Sequence, residues 1–409
     1  MRFIFFWTKI YRVFLYASIG FVLSVSSGCS SDDDDDLLPV PVSYTTLIYM
    51  IADNSMDSEV EYTINQLKQG AKHSSGTAVV YVDRMNESPR LFKISQAGEE
   101  IALKSYEEEN SASTETLLRT IKDMKESVPA EKYGLVLWSH SMGWLPSGYD
   151  SDLRVSQVKS AQEFPRTRYI GPDFHPGNDT ADPMIEINQL ANALPDRVVE
   201  YIWFDVCLMG SVEAFYGLRN KCNYLIASPS EVLAEAGYEA SGIPYSKVLP
   251  YMFGGKDELT QACQAYYSHY NNMGYEILRS ATITLVDAAQ LDGLYTIVHS
   301  ILGGHQAEFA AMDTNGLQIY HTKEVPPVFF DFQDAIERFH GQADASLDTQ
   351  LAKAVIFKAA TSKFKDVTID PAKFSGLSMY IPLEKWKGNY EYTYYFDSFE
   401  WSGIYMSTK

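Results

Sequence analysis

Two stretches of the chain, YGLVLWS at 133–139 and VEYIWFDV at 199–206, are almost wholly apolar, and each runs directly into a chemically active side chain, His140 and Cys207. A strand that is apolar on both faces must be covered on both faces, which is the condition of a central strand in a parallel sheet flanked by helices. The pattern recurs. TTLIYMIA (45–52), AVVYVD (78–83), YLIAS (224–228) and ATITLVD (281–287) also read as strands. Between them lie stretches with helical spacing, such as Val60, Ile64 and Leu67, which follow the caps Asp57 and Ser58 and precede Gly70 as a stop. The same spacing predicts helices over 113–127, 186–194, from 211 onward, 257–270, up to about 302 and over 346–361, with a further strand at 377–382. The alternation predicts an α/β fold with a mostly parallel sheet.

In an open sheet of this class, sites form at the carboxyl ends of the strands. A thiol becomes a strong nucleophile as thiolate, and an imidazole can take its proton and later deliver one to a leaving amine. His140 and Cys207 are therefore a candidate pair. On residue type alone the alternative stays open, because a buried cysteine also serves as a small hydrophobe and a lone histidine often serves structure.

The blocks YGLVLWSHSMGW (133–144) and YIWFDVCLMGSVEAFYGL (201–218) resemble the two signature blocks of clostripain-like cysteine peptidases, in the clan of caspases, legumains and gingipains. LIYMIADNSMD, VVYVDR (79–84), LIASPSE (225–231) and GLSMYIP extend the resemblance over most of residues 43–385. It implies a caspase-like three-layer α/β/α sandwich, with a catalytic core over 43–250 and an appended C-terminal α+β region over 251–409. It also implies catalysis by His140 and Cys207, with the amides of Ser141 and Cys207 at the oxyanion. Cleavage would follow arginine or lysine, paired in the substrate pocket with Asp205. Ser141 stands where the family usually has glycine, and LAEAGYE replaces a PGDGW-like turn, which leaves Glu235 as the nearest candidate for a second pocket acid. Relatives are matured by a cut between the two dyad residues; Arg154 is the candidate here, with Lys159, Arg166 and Arg168 behind it. No cofactor is expected to be required, and the acidic stretch 173–182 is a candidate for weak calcium binding. The rival reading is a catalytically silent binding module on a peptidase fold.

Residues 1–28 carry Arg2, Lys9 and Arg12, then the apolar run VFLYASIGFVLSV, then small residues before Cys29, the pattern of an export signal. SSGC resembles a bacterial lipobox, which implies lipidation of Cys29 and a membrane partner reached through that anchor. SSDDDDDLLPVPVS then reads as an extended acidic tether over 29–42 and resembles the export tag of Bacteroides-type surface lipoproteins. Outer-membrane attachment and exposure at the cell surface are the expectation.

Composition excludes several classes. At 46% hydrophobic and 13% aromatic the chain is not a disordered tail, and a net charge of -20 repels phosphate backbones, so no nucleic-acid partner is expected. The four cysteines show no CxxC spacing, and Cys222 and Cys263 read as packed thiols. Residues 141–183, punctuated by proline and glycine, are expected to form a long exposed loop. SHSMG (139–143) has some likeness to a hydrolase nucleophile elbow with Ser141 as nucleophile, but WLPSGYDSD after it has no helical periodicity.

Overall fold

The computed structural model describes residues 42–146, 171, 173, 184–321 and 327–407. Pro39–Lys409 forms one compact unit. Its frame is a nine-stranded sheet. In chain order the strands are β1 (Val42–Ala52), β2 (Thr77–Arg84), β3 (Glu87–Ile94), β4 (Glu100–Ser105), β5 (Ala130–Trp138), β6 (Tyr201–Asp205) and β7 (Tyr224–Ala227). A two-stranded hairpin, β8 (Ala234–Glu235) and β9 (Ala240–Ser241), follows, and then β10 (Thr282–Asp287), β11 (Phe330–Asp331) and β12 (Val355–Ala360). The order across the sheet is β12-β10-β7-β6-β5-β1-β2-β3-β4. β7, β6, β5, β1 and β2 run parallel, while β3 and β4 on one side and β10 and β12 on the other are added by antiparallel pairing, so that only β3 and β10 run against the rest. This is the mostly parallel α/β sheet of a caspase-like fold.

The parallel core follows from the apolar runs. Leu135 to Trp138 of β5 and all of β6 are buried, so each strand needs cover on both faces. The cover comes from α1 (Asp57–Ala71), α2 (Thr114–Ser127), α3 (Ile187–Ala193), α4 (Val212–Leu218), α5 (Tyr245–Val248), α6 (Lys256–Asn271) and α7 (Leu291–Leu302), with α8 (Gln306–Ala310), α9 (Phe332–His340), α10 (Ala345–Ala354) and α11 (Tyr390–Ser398) beyond. Burial of each large aliphatic side chain here contributes about 1.5–3 kcal/mol. Ser113 caps α2 by accepting from Thr116 N–H at 3.1 Å, and Ser211 caps α4 by accepting from Ala214 N–H at 3.3 Å. Among the described residues no helix is long and apolar enough to cross a membrane.

Three sequence expectations are corrected. Gly70 does not stop α1; it lies inside it, where an added Cβ would come within 2.3 Å of Tyr245 O, so the glycine serves close packing of α1 on α5. The helix expected over 346–361 ends at Ala354, and the β-branched and aromatic residues from Val355 continue as an edge strand on β10. The strand expected at 377–382 is confined to Ser378–Met379, paired with β11. β3 and β4 carry little apolar alternation, since β4 has no buried residue, and their sequence does not predict strands. The loop expected over 141–183 lies largely outside the described residues, as do the signal, the tether, Cys29 and Arg154.

Candidate active site

β5 and β6 are parallel neighbours with Trp138 opposite Asp205, so the residues that follow them emerge side by side at one edge of the sheet. His140 comes two residues after β5, and Cys207 two residues after β6. Asp205 is the last residue of β6, and Cys207 sits in the turn beyond it. Tertiary packing brings the three together all the same: His140, Asp205 and Cys207 line one small cavity, walled also by Met56, Trp138 and Val232.

The turn carrying Cys207 is held under strain. Leu208 has φ of +60°, a left-handed conformation that a branched side chain adopts at a cost of about 1–3 kcal/mol. Its N–H donates to Ser230 O at 2.9 Å, and Gly210 N–H donates to Ser228 O at 2.9 Å, which ties the turn to the segment after β7. On the other side Ser378 N–H donates to Gly210 O at 2.9 Å, and Tyr380 N–H donates to Glu213 Oε1 at 2.8 Å. The C-terminal strand thus buttresses the cysteine turn directly.

His140 and Cys207 are not hydrogen-bonded to each other. The imidazole Nε2 lies 2.8 Å from Ser55 Oγ, at the carboxyl end of β1. The thiol donates to Val232 O at 3.7 Å and accepts from Val232 N–H at 3.2 Å. Burial pulls the imidazole down to about 4. Burial pushes the thiol up to about 12, with the nearby Glu231 carboxylate adding to the rise. Both groups are neutral at pH 7.

Asp205 accepts from Ile243 N–H and from Tyr245 O–H, each at 3.1 Å. Burial pushes its carboxyl up to about 7, and those two donors act in the opposite sense. Gly242 makes the arrangement possible, since a Cβ there would lie 2.7 Å from Asp205 Oδ1 and its φ is +55°. Glu235 is exposed on the hairpin, next to the cavity-lining Ala234.

Ser141 is buried, and its Oγ accepts from Gly143 N–H at 2.9 Å. Positive φ falls on Gly143, at +67°, and not on Ser141, so serine in the family's glycine position carries no such strain. Neither the Ser141 nor the Cys207 N–H has a backbone acceptor among the described residues. Residues 141–146, directly after the strand, are not helical, whereas an elbow nucleophile would open a helix there. Cys222 and Cys263 are free and fully buried. Of the stretch 173–182 only Asp173 is described; it accepts from Ser111 N–H at 2.6 Å and Ser111 O–H at 3.0 Å. Among the described residues no group of three or more His, Cys, Asp or Glu is placed to hold a metal.

The clostripain family model matches residues 48–399. The chain belongs to the clostripain family. An inactive zymogen C11 protease from Parabacteroides distasonis is 28% identical with a TM-score of 0.73, covering 91% of this chain and 100% of that one. A secreted C11 cysteine protease from Bacteroides thetaiotaomicron, iotapain, is 25% identical with a TM-score of 0.70, covering 90% of this chain and 99% of that one. No curated protein matches the sequence. The chain is thus a clostripain-family cysteine peptidase, and the resemblance read from its two apolar blocks holds across the fold.

Ser55, Val232 and Tyr245 were not foreseen as site residues. Ser55 falls inside the IADNSMD block and Val232 directly follows LIASPSE, so both carried a signal of position. Tyr245 carried none, because its contact with Asp205 spans 40 residues.

Proposed function

We propose that this clostripain-family member is an exported endopeptidase that cuts after arginine or lysine, with Cys207 as nucleophile and His140 as proton carrier. The observation that carries the reading is the shared cavity of His140, Cys207 and Asp205, with the Ser141 and Cys207 amides lacking backbone acceptors among the described residues. The Cys207 sulfur attacks the scissile carbonyl carbon and the carbonyl electrons move to oxygen, where the Ser141 and Cys207 amides receive the charge. Collapse expels the amine, protonated by His140, and leaves a thioester. Water, deprotonated by His140, then displaces the sulfur and releases the acid.

In the arrangement described, burial disfavours both the thiolate and the imidazolium, so passing the proton from Cys207 to His140 is uphill. This is a resting form. Activation requires Val232 to release the thiol and His140 to leave Ser55. Maturation by a cut at Arg154 would supply that change, and the resemblance to a protein described as an inactive zymogen supports it. Asp205 receives the basic side chain at the pocket floor, with Glu235 at its rim. The sequence of residues 1–42 supports lipidation at Cys29 and attachment to the outer membrane with the body at the cell surface, and the similar B. thetaiotaomicron protease is described as secreted. A weak calcium site in 173–182 belongs to the same reading.

The test uses the full chain in detergent and its Cys207→Ala variant, with fluorogenic peptides varied at P1 and intact masses recorded. Turnover after arginine and lysine, lost in the variant together with a cut near Arg154, is the expected result. Absence of turnover before and after trimming with trypsin would favour the silent binding module.

A further inference from the structure

The hairpin that walls the cavity does not end there. Ala234 and Gly242 line the cavity at its base, Glu235 pairs with Ala240, and the strands are joined by a short turn of Ala236–Tyr238 and Glu239. The turn is fixed from three sides: Ala236 N–H donates to Glu59 Oε2 at 3.0 Å, Glu239 N–H donates to Ala236 O at 3.0 Å, and Glu239 O lies 2.8 Å from His269 Nε2. This rigid turn presents Tyr238, 61% exposed, edge to face with Tyr275, 67% exposed, at a ring separation of 6.2 Å and 78°. Ile277, two residues after Tyr275, is exposed as well.

An exposed aromatic pair on a pinned turn has an occupant to explain, and its surroundings select one. Glu235 and Glu239 are exposed on the same hairpin, and neither is in an ion pair among the described residues. Three cations are engaged elsewhere: Lys247 with His269, Arg279 with Met273 O and Lys363 with Glu276. Tyrosine faces beside free carboxylates favour a cation, and arginine or lysine above all. Tyr238 lies four residues along from Ala234, a reach of at most ~14 Å. The ledge is therefore within reach of a peptide whose scissile bond lies at Cys207, a few residues from that bond.

We propose that the Tyr238–Tyr275 ledge is an exosite that takes an arginine or lysine side chain of the substrate, a few residues from the scissile bond and separate from the P1 pocket. It rests on the peptidase reading above, so the test reads binding apart from turnover. Ten-residue peptides with arginine fixed at P1, in which a second arginine is walked through the remaining positions from P5 to P4′ in an alanine background, are bound to the full-chain Cys207→Ala protein and followed by fluorescence anisotropy. One position, on one side of the bond, is expected to tighten binding ~3- to 10-fold. That gain is lost in Tyr238→Ala/Tyr275→Ala and reduced in Glu239→Gln, all surface changes. The active protein should show the same gain in kcat/KM through KM, while a short P1 substrate is cut equally by wild type and the tyrosine variant. An arginine with no effect at any position, a gain that survives loss of both tyrosines, or leucine serving as well as arginine would overturn the exosite. Loss of turnover with the binding gain intact would overturn the peptidase reading alone.

Discussion

The Val232 backbone holds the Cys207 sulfur from two directions: its N–H donates to Sγ at 3.2 Å, and its carbonyl accepts from the thiol at 3.7 Å. With the thiol pushed up to about 12 by burial, almost no thiolate is present at pH 7. Alkylation with iodoacetamide should accordingly be slow in the intact chain, and should accelerate at Cys207 by at least ~10-fold once the protein is matured. Cys222 and Cys263 lie wholly inside the core and should stay unlabelled until unfolding. Peptide mapping that found Cys222 labelled ahead of Cys207 would remove the cysteine from its assigned role.

Asp205 predicts a pH dependence with a definite sign. Its folded carboxyl is pushed up to about 7, against 3.8 for a free side chain, so the folded protein keeps a proton that the unfolded chain releases. Its stabilising contribution is fully present below about pH 4 and is lost as pH rises through 7, a span of ~4 kcal/mol. Glu213, also pushed up to about 7, acts in the same sense. Urea titrations at pH 5 and 8 should therefore show Asp205→Asn gaining on wild type at the higher pH. In the same window the preference for arginine over glutamine at P1 should rise, since the carboxylate forms there, and Tyr245→Phe should move the rise to higher pH.

His140 behaves oppositely. Its imidazole is pulled down to about 4, so the stability linked to it is present above pH 6.5 and lost as pH falls through 4. His140→Gln should flatten the acid limb of the unfolding curve and abolish turnover. An acid limb unchanged in that variant would show that the imidazole is not buried as described.

Gly143→Ala joins the two halves of the site in one experiment. At φ of +67° a Cβ would lie 2.5 Å from Leu208 O, so the loop after His140 would be pushed off the turn carrying Cys207. A stability loss of about 1–3 kcal/mol is expected, with kcat falling far more than KM rises. A fall in stability with kcat intact would mean that the two loops are not coupled.

Glu213→Ala tests the buttress from the C-terminal strand. It strips the acceptor from Tyr380 N–H inside the core, at a cost of about 1–3 kcal/mol. Glu213→Gln keeps an acceptor and should recover most of both stability and kcat.

The order of apolar runs and amphipathic stretches by itself determined the parallel α/β class, because strands covered on both faces leave no polar alternation and need helices between them. It also carried His140 and Cys207 to the carboxyl ends of buried apolar strands, and Ser113 and Ser211 to helix starts, since those are local consequences of pattern and capping. Where the pattern was short or carried one apolar face it failed: β3 and β4 went unread, and the helix ending at Ala354 was carried on through β12. What only the tertiary structure decided is what each site group touches. That Val232 latches the thiol, that Ser55 engages the imidazole, that Tyr245 and Ile243 occupy Asp205 and that Tyr380 leans on Glu213 all depend on segments 25 to 167 residues apart. Such contacts follow from how β7, the hairpin and the C-terminal strand pack around two loops, and no local propensity encodes that packing.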